Sequence, residues 1–445
     1  MSLLGIAWRN IRQRLLTSGL TALSLALGVA LVVATLVIGG LVRDAFASGR
    51  GLGYNLIVGA KGSPLQLVLN SVYLVSKPIE NISWGFYQEF LPAEARSDGM
   101  AGRYAGSVAK AVPICMGDYF RSFRVVGTNA AYFDSLTMGD GRPFAFAAGR
   151  NFRDDEFFGG VLGSSVAARL GLAVGDTFSP THGADDGLVH DPFTVIGVLA
   201  RTDTPVDRGV YVNMEGFYLQ EGHAKPLPEG ERDMPDEATD DAAVPPGADP
   251  SGPAPLPFAQ REVTAILIET ASPGGMPPEL LAMGLKTTIN EGRDGQAAEP
   301  VREIRTLLDL FVRPLELLLL LVTTLVVIVS AIGILVSMVG SSLERSRDVA
   351  VMRALGARRS HVLTTVLLEA ILLAVGGGLL GWLLGHAVVA AIGPLITTNA
   401  GVSAGFFSSA PAGEALLVPF LIVLAILAAL LPALAAYRTD VAKWL

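Results

Sequence analysis

The chain has 445 residues, 51% hydrophobic and only 17% charged, more apolar and less charged than the roughly 45–50% and about 25% of soluble domains. Its single cysteine, Cys115, excludes an internal disulfide and any Cys-based zinc or iron–sulfur centre within one chain; the default state of such a thiol is buried and inert. The net charge of −8 says little about partners, because residues 224–257 hold eight acids against Lys225 and Arg232 and carry most of it.

Residues 1–14, with Arg9, Arg12 and Arg14, read as a cytoplasmic amphipathic helix. The apolar run 15–42 that follows is far longer than the roughly 7–15-residue core of a cleaved signal peptide. It is therefore expected to be the first transmembrane helix. Residues 43–311 are too long for a loop and large enough for one or two domains. Near their start Ser63 can cap a helix that Pro64 begins. Leu65, Val68, Leu69 and Val72 follow at helical spacing, which predicts an amphipathic helix near the membrane surface. Short apolar runs with turn punctuation predict strands at 123–127, 192–199, 209–213 and 264–269, with helices at 163–172 and 277–290. This alternation points to an α/β (α+β) module rather than a β-barrel. The segment 224–257, with nine prolines, cannot bury enough apolar surface to fold and reads as a disordered acidic insert.

Three more apolar runs, 312–340, 362–392 and 416–437, each pass the roughly 18-residue threshold for spanning a bilayer. They leave a loop at 341–361, a second at 393–415 and a tail at 438–445. The first loop holds five arginines between Glu344 and Arg359, and the tail holds Arg438 and Lys443. Short basic loops face the cytoplasm, so all three basic clusters agree on one topology. The expected fold is an α-helical membrane protein with four transmembrane helices, one plus three. A large extracytoplasmic α/β (α+β) domain separates the first two.

Catalytic motifs are missing. No G-x-x-x-x-G-K-[ST] phosphate loop occurs, and no H-E-x-x-H. Gly401-Val-Ser-Ala-Gly405 matches a nucleophile elbow in letters only, since it lies in the loop between two apolar runs. Glu316 and Glu369 touch the spans, where an ionisable residue is a functional candidate. Glu369 is expected to pair with Arg358 or Arg359. In the long excursion His182 and His190 flank a turn offering Asp185 and Asp186, with Asp191 beyond and His223 farther on. Histidine with carboxylate could hold a divalent metal, and solvated loop residues are the alternative.

Glu344-Arg345 followed by Asp348-Val-Ala-Val-Met-Arg-Ala-Leu-Gly-Ala357 resembles the E-R-x-x-E-I-G-x-x-R-A-[LI]-G-A string of MacB/FtsX-like (type VII) ABC transporter permeases. Asp348 stands where that family usually has glutamate, and Ala350 where it has glycine. Ala7-Trp-Arg-Asn-Ile-Arg and Leu431-Pro-Ala-Leu-Ala-Ala-Tyr-Arg438 resemble the family's N-terminal helix and last-span ending. Residues 126–129, 161–170 and 193–199 look like its periplasmic core domain. The resemblance implies a non-catalytic permease in the bacterial inner membrane with its large domain in the periplasm. ATP and magnesium would be held by a partner ATPase present in two copies, and no cofactor by this chain. It also implies export, lipoprotein release or mechanotransmission, with membrane lipid and a periplasmic protein as further partners and no nucleic acid. A membrane-anchored sensor or scaffold is the alternative from another class.

A helix near 344–356 would place Glu344, Arg345, Arg347, Asp348, Val349, Met352, Arg353, Leu355 and Gly356 for coupling to the ATPase. Its apolar anchors and guanidinium donors suit a groove. Gly377, Gly381 and Gly385 recur every four residues and form a groove on the third span, while Gly19, Ser24 and Gly28 line the first. Such tracks permit close helix approach in lipid. They are expected at the interface of a homodimer or paralogue heterodimer, with packing inside one protomer as the alternative.

Overall fold

The computed structural model describes residues 2–48, 53–139, 141–183, 187–225, 253–275, 277–344, 356–400, 414 and 416–437. The helices used below are α1 (Leu3–Gln13), α2 (Leu15–Ser48), α3 (Pro64–Ser71), α4 (Ser164–Leu170), α5 (Met214–Tyr218), α6 (Pro278–Glu291), α7 (Pro300–Leu307), α8 (Arg313–Glu344), α9 (Arg359–Ala400) and α10 (Leu417–Tyr437). The strands are β1 (Leu56–Gly59), β2 (Val108–Phe120), β3 (Phe123–Thr128), β4 (Phe146–Gly149), β5 (Gly159–Leu162), β6 (Thr177–Phe178), β7 (Thr181–His182), β8 (Phe193–Leu199), β9 (Gly209–Asn213), β10 (Ala265–Thr270) and β11 (Gln296–Ala298). Contacts divide the chain into two units, one of residues up to Asp44 and from Asp309 onward, the other Ala45–Leu308.

The first unit is helical. Leu15–Arg43, Pro300–Gly340 and Arg359–Pro394 are each long and apolar enough to cross a membrane, and Pro419–Leu434 is a shorter apolar stretch. Leu25, Val29, Val33 and Val37 of α2 are buried against α8, α9 and α10. A Cβ on Gly377 would lie 2.8 Å from the Ala22 carbonyl oxygen, and one on Gly381 2.7 Å from Val29 Cβ. One on Gly385 would lie 2.8 Å from Val33 Cβ. The glycine track thus faces α2 of the same chain, the packing inside one protomer that stood as the alternative to an interface between copies. Gly28 turns to α8, where its added Cβ would meet Val326 and Ser330 at 3.4 and 3.5 Å. Ser330 Oγ donates to the Ser24 carbonyl there at 3.2 Å.

In the second unit eleven strands among the described residues form one mixed sheet in the order β11-β1-β10-β2-β3-β9-β5-β8-β4, with β6 beside β8 and β7 beside β2. The β9–β3 and β5–β8 pairs are parallel. Successive residues alternate between two cores: Val125, Val210, Val212 and Ile266 face one, Val126, Tyr211 and Leu267 the other. A sheet buried on both faces favours apolar residues at most positions, and such runs make β3, β8, β9 and β10 readable within a residue or so. Ser63 does cap α3, accepting from the Gln66 N–H at 3.3 Å. Val68 and Val72 of that segment are packed in the core of this unit, which accounts for its apolar face without a membrane.

The strand β2 carries most of the architecture. Its first half, to Ile114, pairs with β10; its second half, from Ile114, pairs with β3. Most of the acidic insert, residues 226–252, lies outside the described residues, but its two ends are narrower than its composition suggests. Lys225 N–H donates to the Gln260 carbonyl at 3.0 Å, and Leu256 packs against the core.

Two outcomes are expected. Gly381→Ala should lower the thermal unfolding temperature in detergent, equivalent to about 1–3 kcal/mol of overpacking. Gly376→Ala, whose Cβ would meet nothing within 4 Å, should not. Replacing residues 226–252 by a flexible linker of about six residues should leave the unfolding temperature of the wild type intact, because Lys225 and Gln260 already fix the two ends together.

Candidate functional site

The basic loop is only bracketed by the described residues. Arg345, Arg347, Asp348, Val349, Met352, Arg353 and Leu355 lie outside them, as does the 401–405 string. Glu344, at the end of α8, pairs with Arg14 between α1 and α2. Gly356 is exposed and has φ +99° with open space around it, a conformation that disfavours any residue with a Cβ.

Among the described residues, the two acids Glu316 and Glu369 have partners in the same unit. Glu316 pairs with Arg43 of α2. Glu369 is 4% exposed and accepts from Asn10 Nδ2 of α1 at 3.5 Å, so α1 lies along α9. His386 and Glu414 escaped the sequence reading: His386 Nε2 lies 3.3 Å from Glu414 Oε2, which also accepts from Trp382 Nε1 at 3.3 Å. A lone histidine inside a run and an acid before the next one gave no pattern to read.

The second unit gathers Asp118, His182, His190 and His223, whose donor atoms all lie within 4.8 Å of one another. Asp118 sits where the β2–β3 register shifts between Met116 and Tyr119. Such a bulge re-aims a side chain, and this carboxylate is fully buried. β7 pairs with β2 so that His182 lies opposite Asp118. The chain then turns back, with His182 N–H donating to the Leu188 carbonyl at 2.9 Å and His190 N–H to the Pro180 carbonyl at 2.9 Å. The turn after α5 brings in His223, its ring 4.2 Å from that of Phe217.

Asp118 Oδ1 is 3.3 Å from His182 Nδ1 and 3.2 Å from His223 Nε2, and those two nitrogens are 3.2 Å apart. Asp118 Oδ2 is 3.3 Å from His190 Nε2, yet both atoms are buried without a hydrogen bond. His223 Nδ1 lies 2.6 Å from the Phe217 carbonyl oxygen, which can only accept. In the neutral ring Nε2 is then a lone pair aimed at the carboxylate. Burial lowers the pKa of His190 and favours its neutral form.

Of the residues singled out in the sequence, His182, His190 and His223 converge, whereas Asp191 is exposed and donates its N–H to Gln220 Oε1 at 2.8 Å. Asp185 and Asp186 lie outside the described residues. Asp118 was missed, because Gly117-Asp118 in the sequence reads as a turn and only the strand pairing brings it opposite His182.

A cavity of about 260 Å³ adjoins the cluster, lined by His182, His223, Met116, Tyr218, Glu262 and Thr264 among others. It lies where β10 ends at Ala265 and no longer covers the far half of β2. Cys115 also lines it, but the thiol is 3% exposed and burial pushes its pKa up to about 12. Burial of that kind disfavours the thiolate, the reactive form of the side chain.

A family model described as MacB-like periplasmic core domain matches residues 18–249, and one described as FtsX-like permease C-terminal matches residues 320–441. Among curated relatives, the macrolide export ATP-binding/permease protein MacB of Bdellovibrio bacteriovorus is 28% identical over 33% of this chain and 24% of its own length. That of Chromobacterium violaceum is 32% identical over 29% of this chain and 20% of its own. That of Escherichia coli is 42% identical over 16% and 11%. The chain thus spans a quarter or less of the curated relatives it matches.

Proposed function

The chain belongs to the MacB/FtsX-like family of ABC transporter permeases, and from that premise we propose that it is the transmembrane subunit of an ATP-driven machine in the bacterial inner membrane. The observation that carries this reading is the order of parts. The periplasmic-core match extends from α2 across β1–β9 and ends at residue 249, before β10 and β11, and the permease match covers most of α8 with α9 and α10. A membrane protein with a large soluble α/β unit between its first and second spanning helices fits a device that carries motion across a bilayer.

In this proposal α2, α8, α9 and α10 are the four spans, with 43–311 in the periplasm and 341–361 in the cytoplasm. ATP and magnesium are bound by a separate ATPase in two copies, and two permease chains assemble as a homodimer or with a paralogue. Residues 344–356 dock on the ATPase, Arg345, Arg347 and Arg353 offering charge-assisted donors beside Val349, Met352 and Leu355. The output is export, lipoprotein release or mechanical drive of a periplasmic protein. The cytoplasmic α1 lies along the membrane surface in this proposal: Leu4 and Trp8 are exposed while Ala7 is buried, the two-sided character of a helix lying in the interface.

Because Cys115 is buried, single cysteines report topology cleanly. Gly106→Cys, at an exposed site with room for a side chain, should label from outside intact cells, and Ser346→Cys only after the membrane is opened. Labelling of both from one side overturns the four-span topology. Arg353→Glu should reduce stimulation of the copurifying ATPase by about tenfold or more, the scale of losing a charge-assisted contact, with membrane insertion unchanged. Unaltered stimulation removes this loop from the coupling role. If no ATPase copurifies, the machine itself is excluded.

A further inference from the structure

We propose that Asp118, His182, His190 and His223 bind a divalent transition-metal ion, zinc(II) by ligand type and spacing. Ligands about 2.0–2.1 Å from zinc in tetrahedral geometry stand roughly 3.3–3.4 Å apart. His182 Nδ1, His223 Nε2 and Asp118 Oδ1 form a triangle with sides of 3.2, 3.2 and 3.3 Å, which is one face of that tetrahedron. His190 Nε2 stands beside the other carboxylate oxygen and completes four donors.

Three features favour a cation over a hydrogen-bonded cluster. Asp118 Oδ2 and His190 Nε2 are buried, face each other and make no hydrogen bond; buried polar atoms left so are costly, and a shared metal removes the cost. The Phe217 carbonyl fixes the His223 ring with Nε2 inward, the outer-shell arrangement that orients metal-binding imidazoles. The donors also come from three separate stretches of chain, a bulged strand, a returning hairpin and a post-helix turn. Convergence of that kind gains most from an ion that ties the stretches together. Calcium and magnesium take oxygen ligands, whereas imidazole suits zinc, copper, iron and nickel, and the tetrahedral spacing selects zinc among these. The side chain of His182 is 38% exposed, and the cavity beside it leaves a path for entry and exchange. None of this depends on the ATPase partner, so the two readings can fail separately.

The test uses the full-length chain in lipid nanodiscs, stripped with chelator and titrated with zinc chloride alone. Metal per chain is counted by mass spectrometry, and affinity is measured by competition with a chromogenic chelator. One zinc per chain is expected, with at least about tenfold weaker binding in His182→Ala and a zinc-dependent rise in unfolding temperature that this variant lacks. His182 is the most exposed of the four, and metal-free His182→Ala should unfold at the wild-type temperature; if it does not, His182→Gln serves in its place. Cobalt(II) should give the intense visible bands of a tetrahedral site in the wild type and lose them in the variant. Zinc bound equally well by the His182→Ala, His223→Ala double variant, no stoichiometric zinc in the wild type, or displacement of zinc by excess calcium or magnesium would each overturn the assignment.

Discussion

Lipid offers helices no hydrophobic reason to meet, so association rests on how closely their backbones can approach. In the helical unit that approach runs along Gly377, Gly381 and Gly385, each set against the backbone or Cβ atoms of α2. Every other contact there is arranged around it. A second face of α2 is left for α8, where Ser24 and Ser330 exchange polar contacts. Gly378, one step round α9, lets Leu421 of α10 come close. The glycines of α9 thereby set two neighbours, α2 and α10, while α8 is held on the other face of α2. The charged groups of the unit then act locally, Glu316 on Arg43 and Glu344 on Arg14.

The soluble unit solves a different problem. A sheet covered on both faces has no solvated side on which to keep a polar residue, so each one needs partners, as Arg124 of β3 finds in Asn70 and the Ser76 carbonyl, or an irregularity that gives it room. The register shift beside Asp118 is such a place. A regular strand would send that carboxylate into one of the two apolar cores; the bulge turns it toward the hairpin and the three imidazoles. The cavity beside it arises because β10 is too short to cover all of β2.

What could be read beforehand follows from these two regimes. Membrane helices announce themselves by composition, and β3, β8, β9 and β10 by short, mostly apolar runs bounded by turn residues, such as Phe193–Leu199. The long strand β2 did not, since Pro113 and Gly117 interrupt it and each ordinarily argues against a strand interior. The histidines were visible as candidates, but their missing partner Asp118 was hidden by the same interruption. The glycine track was legible as a groove; which surface it meets was not, because a period of four specifies one face of a helix and leaves its neighbour open. The residues of the basic loop owed their reading to family resemblance, and local physics added only amphipathic spacing.

The division of β2 into two pairing halves has a mechanical consequence. Hydrogen-bond ladders stiffen a sheet across its strands, yet here the ladder to β10 and the ladder to β3 overlap on β2 only near Ile114. The sheet is two shorter sheets laid end to end on one shared rod, with side-chain packing joining them above and below. Torsion about that rod shears side-chain packing and leaves both ladders intact. The cavity lies at the free end of this seam, with Glu262 and Thr264 on one wall and His182 and His223 on another. A twist of that kind changes the gap between those walls.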